Sequence, residues 1–330
     1  MTGAVDKRED VTALVARHLR RRGFISGPAA WPRPGAADAG RDGAAGAAVR
    51  LGVPCLQLGP GSGLTAFGQP GRAEARRLTD LLAAGAGDGL FFASRPGLEA
   101  AAEAGRDPVL YYAYRDVLPP RDLATGERLA AGDPGSERAR GAGYMFADLV
   151  VYQPGVLPGG ELFRSTGHWN EPEQFEIFQT LTGTMVMLVA GHRTDGAPFL
   201  YEQVCGPGEV IAVPHGAWHV SYVLDGPAAV FNVAADLGSG GPAEPPRRAG
   251  ARQEPGKYQR AGAVPVTLVR DGAGYRRAGP PGRWAARADP PDTTWARPFV
   301  DRAGSLADLH LHGSAATLAA LADAAGAVPG

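Results

Sequence analysis

The chain has 330 residues, with 33 Lys and Arg against 34 Asp and Glu, so its formal net charge is −1. That length allows one large domain or two small ones around an ample core, and the near-neutral balance excludes an overall basic field for nucleic acid or acidic membranes. No run approaches the ~20 apolar residues of a membrane helix and no charged-then-apolar leader opens the chain, while Cys55 and Cys205 are too few for a disulfide framework, so a reducing cytoplasm is the expected setting.

In chain order, Val11, Leu14, Val15, His18 and Leu19 recur at helical spacing and predict an amphipathic helix over 8–22. Arg20–Arg22 forms its solvated end, where positive charge is favourable. Residues 26–48 carry Gly, Ala and Pro with almost no large apolar side chain, which predicts a loop or linker. The segment 59–68 (GPGSGLTAFG) lacks the Lys-Ser/Thr ending of a phosphate loop and reads as an ordinary turn. Helices are expected over 72–84 and 96–104, the second with Pro96 at a first helical position.

From Asp107 the texture changes. Short runs rich in Val, Tyr, Phe, Leu and Ile are bounded by Gly, Pro or Asp, at 109–114, 144–152, 161–165, 175–181, 185–190, 199–204, 209–213, 219–224 and 228–233. Successive strands without intervening helices predict an antiparallel sandwich or barrel. The stretch 121–142 reads as a polar surface insertion, and 264–277 as a hairpin turning at Asp271-Gly272. The Ala/Leu-rich end, 302–326, predicts a helix. These textures divide the chain into an extension (1–106), a barrel (107–240), a loop and hairpin completing it (241–284) and a second extension (285–330).

Four of the seven histidines, His168, His192, His215 and His219, fall within the β-region. His168 and Asn170 share a face if extended, and a turn at Glu171-Pro172-Glu173 can return Glu176 to the same interior. His219 opens a later strand after the Pro214–Gly216 bend. Two imidazoles and a carboxylate converging inside a barrel form a mononuclear metal site. His192 falls in an expected exposed turn, His310 and His312 read as surface histidines, and Cys205 reads as a small buried filler.

These residues resemble the cupin superfamily. Its second motif, Gly-x5-Pro-x-Gly-x2-His, is matched by Gly208, Pro214, Gly216 and His219, and its first by His168, Glu176 and Gly183. Within that superfamily the chain is most similar to the cupin-type glucose-6-phosphate isomerases, over residues 107–284. The resemblance implies a mainly β fold, an antiparallel cupin β-barrel (jelly roll), and a homodimer. It implies a divalent metal ion on His168, Glu176 and His219, with Asn170 standing where the family has a second histidine. Iron(II) leads as the metal, with Mn2+, Ni2+ or Zn2+ as alternatives.

The resemblance also implies a small-molecule substrate, phosphorylated in the isomerases, held by Arg164, Ser165 and Thr166. Phe178, at the place of a family tyrosine, and His215, beside His219, are further substrate-side candidates. Glu176, Glu173 and Glu171 are the candidate proton carriers. Isomerisation through an enediolate is the leading expectation. Two histidines and one carboxylate also suit a non-haem iron oxygenase, and a metabolite-binding cupin without catalysis is the third reading.

Overall fold

The computed structural model describes residues 7–26, 49–50, 56–58, 63–66, 69–84, 90–128, 143–170, 174–192, 196–236, 264–280 and 293–326. Helix α1 (Lys7–Arg21) comes first. Four short strands follow as an antiparallel sheet, β1 (Val49–Arg50), β2 (Leu56–Leu58), β3 (Leu64–Ala66) and β4 (Gln69–Pro70). Strand β5 (Glu74–Arg77) leads into α2 (Leu78–Ala84) and α3 (Arg95–Glu103). The body is then β6 (Val109–Asp122), β7 (Tyr144–Tyr152), β8 (His168–Trp169), β9 (Gln174–His192), β10 (Pro198–Cys205), β11 (Val210–Val213) and β12 (Trp218–Asp236). Hairpin β13 (Thr267–Asp271)/β14 (Gly274–Ala278) and helices α4 (Arg297–Ala303), α5 (Leu306–His312) and α6 (Ala315–Gly326) complete the described elements.

Among the described residues the main sheet has eight strands in the order β10-β9-β12-β7-β6-β5, with β11 on β9 and β8 on β12. All its described pairings are antiparallel. Two 19-residue strands, β9 and β12, turn the corner of the barrel. Each was expected as two strands. The chain stays paired through the corner because register shifts between Val223 and Val230 bend β12 without ending the ladder. Opposite that bend Gly183 has φ +73°, and a Cβ there would lie 2.7 Å from Ala228 Cα and Pro227 O, so only glycine passes the corner.

Three packed regions account for the continuous apolar texture of the strands. One lies inside the barrel, where Tyr111, Val150, Tyr152, Phe178, Met187, Val189 and Val230 meet. A second lies on an outer face, where Leu149, Val151, Phe175, Ile177, Phe231 and Val233 are covered by residues from α1 and from the C-terminal helices. The third holds Trp169, Trp218, Val220 and Tyr222 against Val266 and Leu268 of the hairpin segment. Strands covered on both faces lose the apolar/polar alternation of a half-exposed sheet. The mainly antiparallel β-barrel with helical additions stands as the sequence led us to expect.

Several local expectations need correction. Over 72–84 only Leu78–Ala84 is helical; Glu74–Arg77 pairs with β6 instead. The helical apolar period begins only at Leu78, whereas Glu74 and Arg76 lie two apart on one strand face and pair with each other at 2.8 Å. Residues 161–165 make isolated bridges, Leu162 to Val156, Glu161 to Val269 and Arg164 to Tyr222, because they knit two neighbouring segments and no single partner strand runs beside them. The C-terminal stretch is three helices. Gly304, at φ +95°, ends one, and Ser305 caps the next by accepting from Asp308 N at 3.0 Å. Arg121 belongs to β6 and is 3% exposed, so the polar insertion does not begin there. Residues 27–48 and 129–142 lie outside the described residues. No described helix is long and apolar enough to cross a membrane.

Candidate metal centre

His168 and His219 are direct cross-strand partners on β8 and β12, so their side chains leave the sheet on one face. Their ring centroids are 4.4 Å apart. Glu176 reaches them from β9: its Oε1 lies 2.9 Å from His168 Nε2 and its Oε2 3.7 Å from His219 Nε2. One ligand atom from each residue lies within 4.8 Å of the others. Glu176 and His219 are buried, and His168 is partly exposed, so the cluster has a dry floor and one wetter side. Phe178 packs on the His219 ring at 5.3 Å, which gives it a wall position in the site.

The donor set suits a metal ion. Two imidazoles and a carboxylate are borderline ligands of the kind that bind iron, manganese, nickel or zinc. Asn170, 5% exposed, supplies an independent sign. Its backbone N–H is satisfied by Ala217 O at 2.9 Å, yet neither its Oδ1 nor its Nδ2 meets a partner among the described residues. A buried amide whose two ends meet nothing among the described residues is a group that a bound ligand or ion can satisfy.

A residue that the sequence did not single out holds the carboxylate. Asn232 Nδ2 donates to Glu176 Oε2 at 2.9 Å from β12. The available signal was a lone amide in the apolar run AAVFNV (228–233). Its cross-strand partner on β7 is Asp148, which takes Arg115 Nη1 on Oδ2 at 2.5 Å and the Asp116 N–H on Oδ1 at 2.8 Å. Burial by itself lowers the Arg115 guanidinium, and the charge and hydrogen bond of Asp148 outweigh that and hold it above its ordinary range. Tyr152 on the inner face shares hydrogen bonds with Ser165 and Ser221, and burial pushes its phenol up, so it stays protonated.

The other expected site residues divide. Ser165 does face this interior, accepting from Ser221 N at 3.1 Å. Thr166 is buried between Ser165 and Gly167 in sequence. Arg164 does not join them. It bridges to Tyr222, and side chains alternate along β12, so Tyr222 points away from the face that carries His219 and Ser221. There Arg164 Nη1 donates to Glu161 Oε1 at 3.1 Å, Tyr222 Oη at 3.0 Å and Phe91 O at 3.2 Å, and the residue is 1% exposed. Through Nη1 the guanidinium ties this loop together on the opposite side of β12 from His219. His215 sets its ring edge-on against Phe175, 5.6 Å away, in the outer packed region. Glu171 and Glu173 lie outside the described residues. His310, expected at the surface, is fully buried and donates Nε2–H to Pro119 O at 2.9 Å. His192 is exposed at the end of β9, and Cys205 is buried, with burial pushing its thiol up to about 12.

Strand order and register thus place a two-histidine, one-carboxylate cluster on the inner face of an antiparallel β-barrel. No protein-family model and no curated protein matches the chain. Among solved structures, it is similar over 29% of its length to an oxalate oxidase at 21% identity, covering 44% of that chain with a TM-score of 0.24. KdgF from Halomonas sp. aligns at 17% identity over 28% of this chain and 69% of its own, TM-score 0.22. A protein described as a predicted oxalate decarboxylase from Thermotoga maritima aligns at 13% identity over 38% of this chain and 80% of its own, TM-score 0.24. The chain thus spans less than half of the oxalate oxidase it matches.

Proposed function

We propose that this chain is a metal-dependent cupin enzyme that isomerises a small hydroxylated metabolite, a sugar phosphate or a close relative. The carrying observation is the convergence of His168, Glu176 and His219 from three strands on one inner face, with ligand atoms within 4.8 Å of one another. His168, Glu176 and His219 would hold the ion, iron(II) first among the candidates, with Asn170 beside them. When bound, a divalent cation supplies positive charge that stabilises oxygens turning anionic as a proton leaves the neighbouring carbon.

The chain's own groups supply the rest. Glu176 has both oxygens engaged, Oε1 by His168 and Oε2 by Asn232. It is therefore poorly placed to carry a proton, and Glu171 and Glu173 become the preferred bases on this reading. Tyr152, kept neutral by burial, donates or holds a proton among Ser165 and Ser221. The apolar inner wall of Val189, Met187 and Phe178 limits the water around the reacting carbon. A homodimer in the cytoplasm completes this proposal. The same three ligands without a third imidazole favour an iron(II) oxygenase as the second reading.

The test is made on purified protein. Metal analysis should return about one divalent ion per chain, lost on chelation. Under anaerobic conditions in deuterated water, hexose and pentose phosphates should exchange the hydrogen on the carbon beside the carbonyl. Oxygen uptake without such exchange would favour the oxygenase, and a metal-free, inert protein would leave only the binding role.

A further inference from the structure

Asn232 is fixed more tightly than a chance polar residue on a strand. A carboxylate oxygen only accepts hydrogen bonds, so the NH2 half of the Asn232 amide must face Glu176, and its carbonyl half must face the other way. On that other side Oδ1 is buried and meets no donor among the described residues. The residue is 8% exposed overall, and its cross-strand partners are Phe178 on β9 and Asp148 on β7, both inner-face positions. An amide oxygen has no hydrogen to give. On a hydroxylated metabolite the group that can complete it is a hydroxyl hydrogen, whereas the oxygens of an ionised phosphate or carboxylate cannot.

We infer that Asn232 is a two-sided residue of the metal centre: its NH2 positions Glu176, and its Oδ1 accepts a hydrogen bond from a substrate hydroxyl. The inference rests on the metal-centre reading above and adds to it the class of group recognised beside Glu176. On the Glu176 side Asn232 is a positioning residue, acting through the carboxylate it holds. On the other side it discriminates between ligands that can and cannot donate.

The probe is Co2+, whose visible absorption reports its ligands, at saturating concentration on the full chain. Two acids serve as ligands: lactate, which donates a hydroxyl hydrogen, and 2-methoxypropionate, which has the same carboxylate and cannot. Their Kd values are read from the Co2+ spectrum, and the quantity that decides is the methoxypropionate/lactate ratio. Asn232→Leu, similar in volume and without polar atoms, should lower that ratio about five- to tenfold, the worth of one neutral hydrogen bond. Asn232→Asp, which keeps an acceptor, should retain most of the wild-type ratio. The leucine variant should also weaken Co2+ binding about tenfold or more and move its absorption band, since the carboxylate loses its outer support.

A ratio that is the same in the wild type and in Asn232→Leu, whatever its size, overturns the hydroxyl contact. An unmoved band with unchanged Co2+ affinity overturns the positioning role. If the leucine variant does not fold, Asn232→Ser, too short to reach Glu176, replaces it. A wild-type protein that takes up no Co2+ sinks the metal reading and this inference together, whereas bound Co2+ with an unmoved ratio sinks only the inference.

Discussion

At the scale of single residues, the centre is built around what Asn170 is not. A histidine there would give three imidazoles and one carboxylate. The asparagine leaves a weaker oxygen donor, buried at 5% exposure with its amide unmet among the described residues. Asn170→His should therefore tighten retention of a divalent ion, by at least about tenfold, because neutral imidazole is the better ligand for first-row metals. Competition against a calibrated chelator measures it; equal or weaker affinity would show that the Asn170 side chain is turned from the ion. His168, Glu176 and His219 were legible because motif spacing and strand alternation fix which face a residue occupies. Arg164 lies on the opposite face from the expected one for a related reason. The kinked segment before β8, with Gly167 at φ +71°, resets the alternation, and residue spacing cannot count through it. Asn232 was illegible because its role depends on a cross-strand diagonal to Glu176, and no local pattern encodes that.

Secondary-structure elements carry a second device, at the seam of α1, β6 and α5. His18 on α1 donates Nε2–H to Asp116 O at 2.8 Å, and His310 on α5 makes the matching bond to Pro119 O at 2.9 Å. Burial lowers His18 from 6.5 to about 4, helped by Arg22 and Arg21; it lowers His310 to about 3, helped by Arg121, His18 and Arg128. Asp116 is the acidic partner at this seam, paired with Arg22. Both folded values are depressed, so the unfolded chain takes up protons first as the pH falls. Stability is then full above about 6.5 and declines through 6.5 towards 4, by about 1.4 kcal/mol per pH unit for each histidine. His18→Gln keeps a donor for Asp116 O and does not titrate. Urea unfolding of metal-free wild type and variant between pH 7 and 5 should show a shallower decline in the variant, by about one proton. Parallel curves would mean that His18 gains its proton without unfolding the seam. Strand positions were mostly legible from their apolar runs. Both the depth of His310 and the splitting of the last helix were not, since an Ala/Leu texture says that a segment packs, without saying against what.

For the whole molecule, the question is whether the extensions decorate the barrel or complete it. The outer face of the sheet presents Leu149, Val151, Phe175, Ile177, Phe231 and Val233, and the segment 293–326 covers them with Trp295, Val300, Leu306, Leu309, Leu311, Leu318 and Leu321. At about 2 kcal/mol for each large side chain, that burial is of the order of a domain's whole net stability, roughly 5–15 kcal/mol. Polar ties reinforce it. Gln179 Oε1, on the same strand as Glu176, accepts the Leu306 N–H at 2.9 Å, and Arg121 Nη1 donates to His310 O at 2.5 Å. Ending the chain before residue 293 should therefore yield protein that aggregates or binds a hydrophobic dye, and it should lose the metal as β9 loosens. Dye fluorescence and metal content after size-exclusion chromatography check both parts. A truncated chain that stays monodisperse, dye-silent and metal-loaded would show that the outer face tolerates water and that the extension serves another purpose. The physical reason to expect the first outcome is that the strand holding Glu176 on its inner face holds Phe175 and Ile177 on its outer face, so wetting one side releases the other.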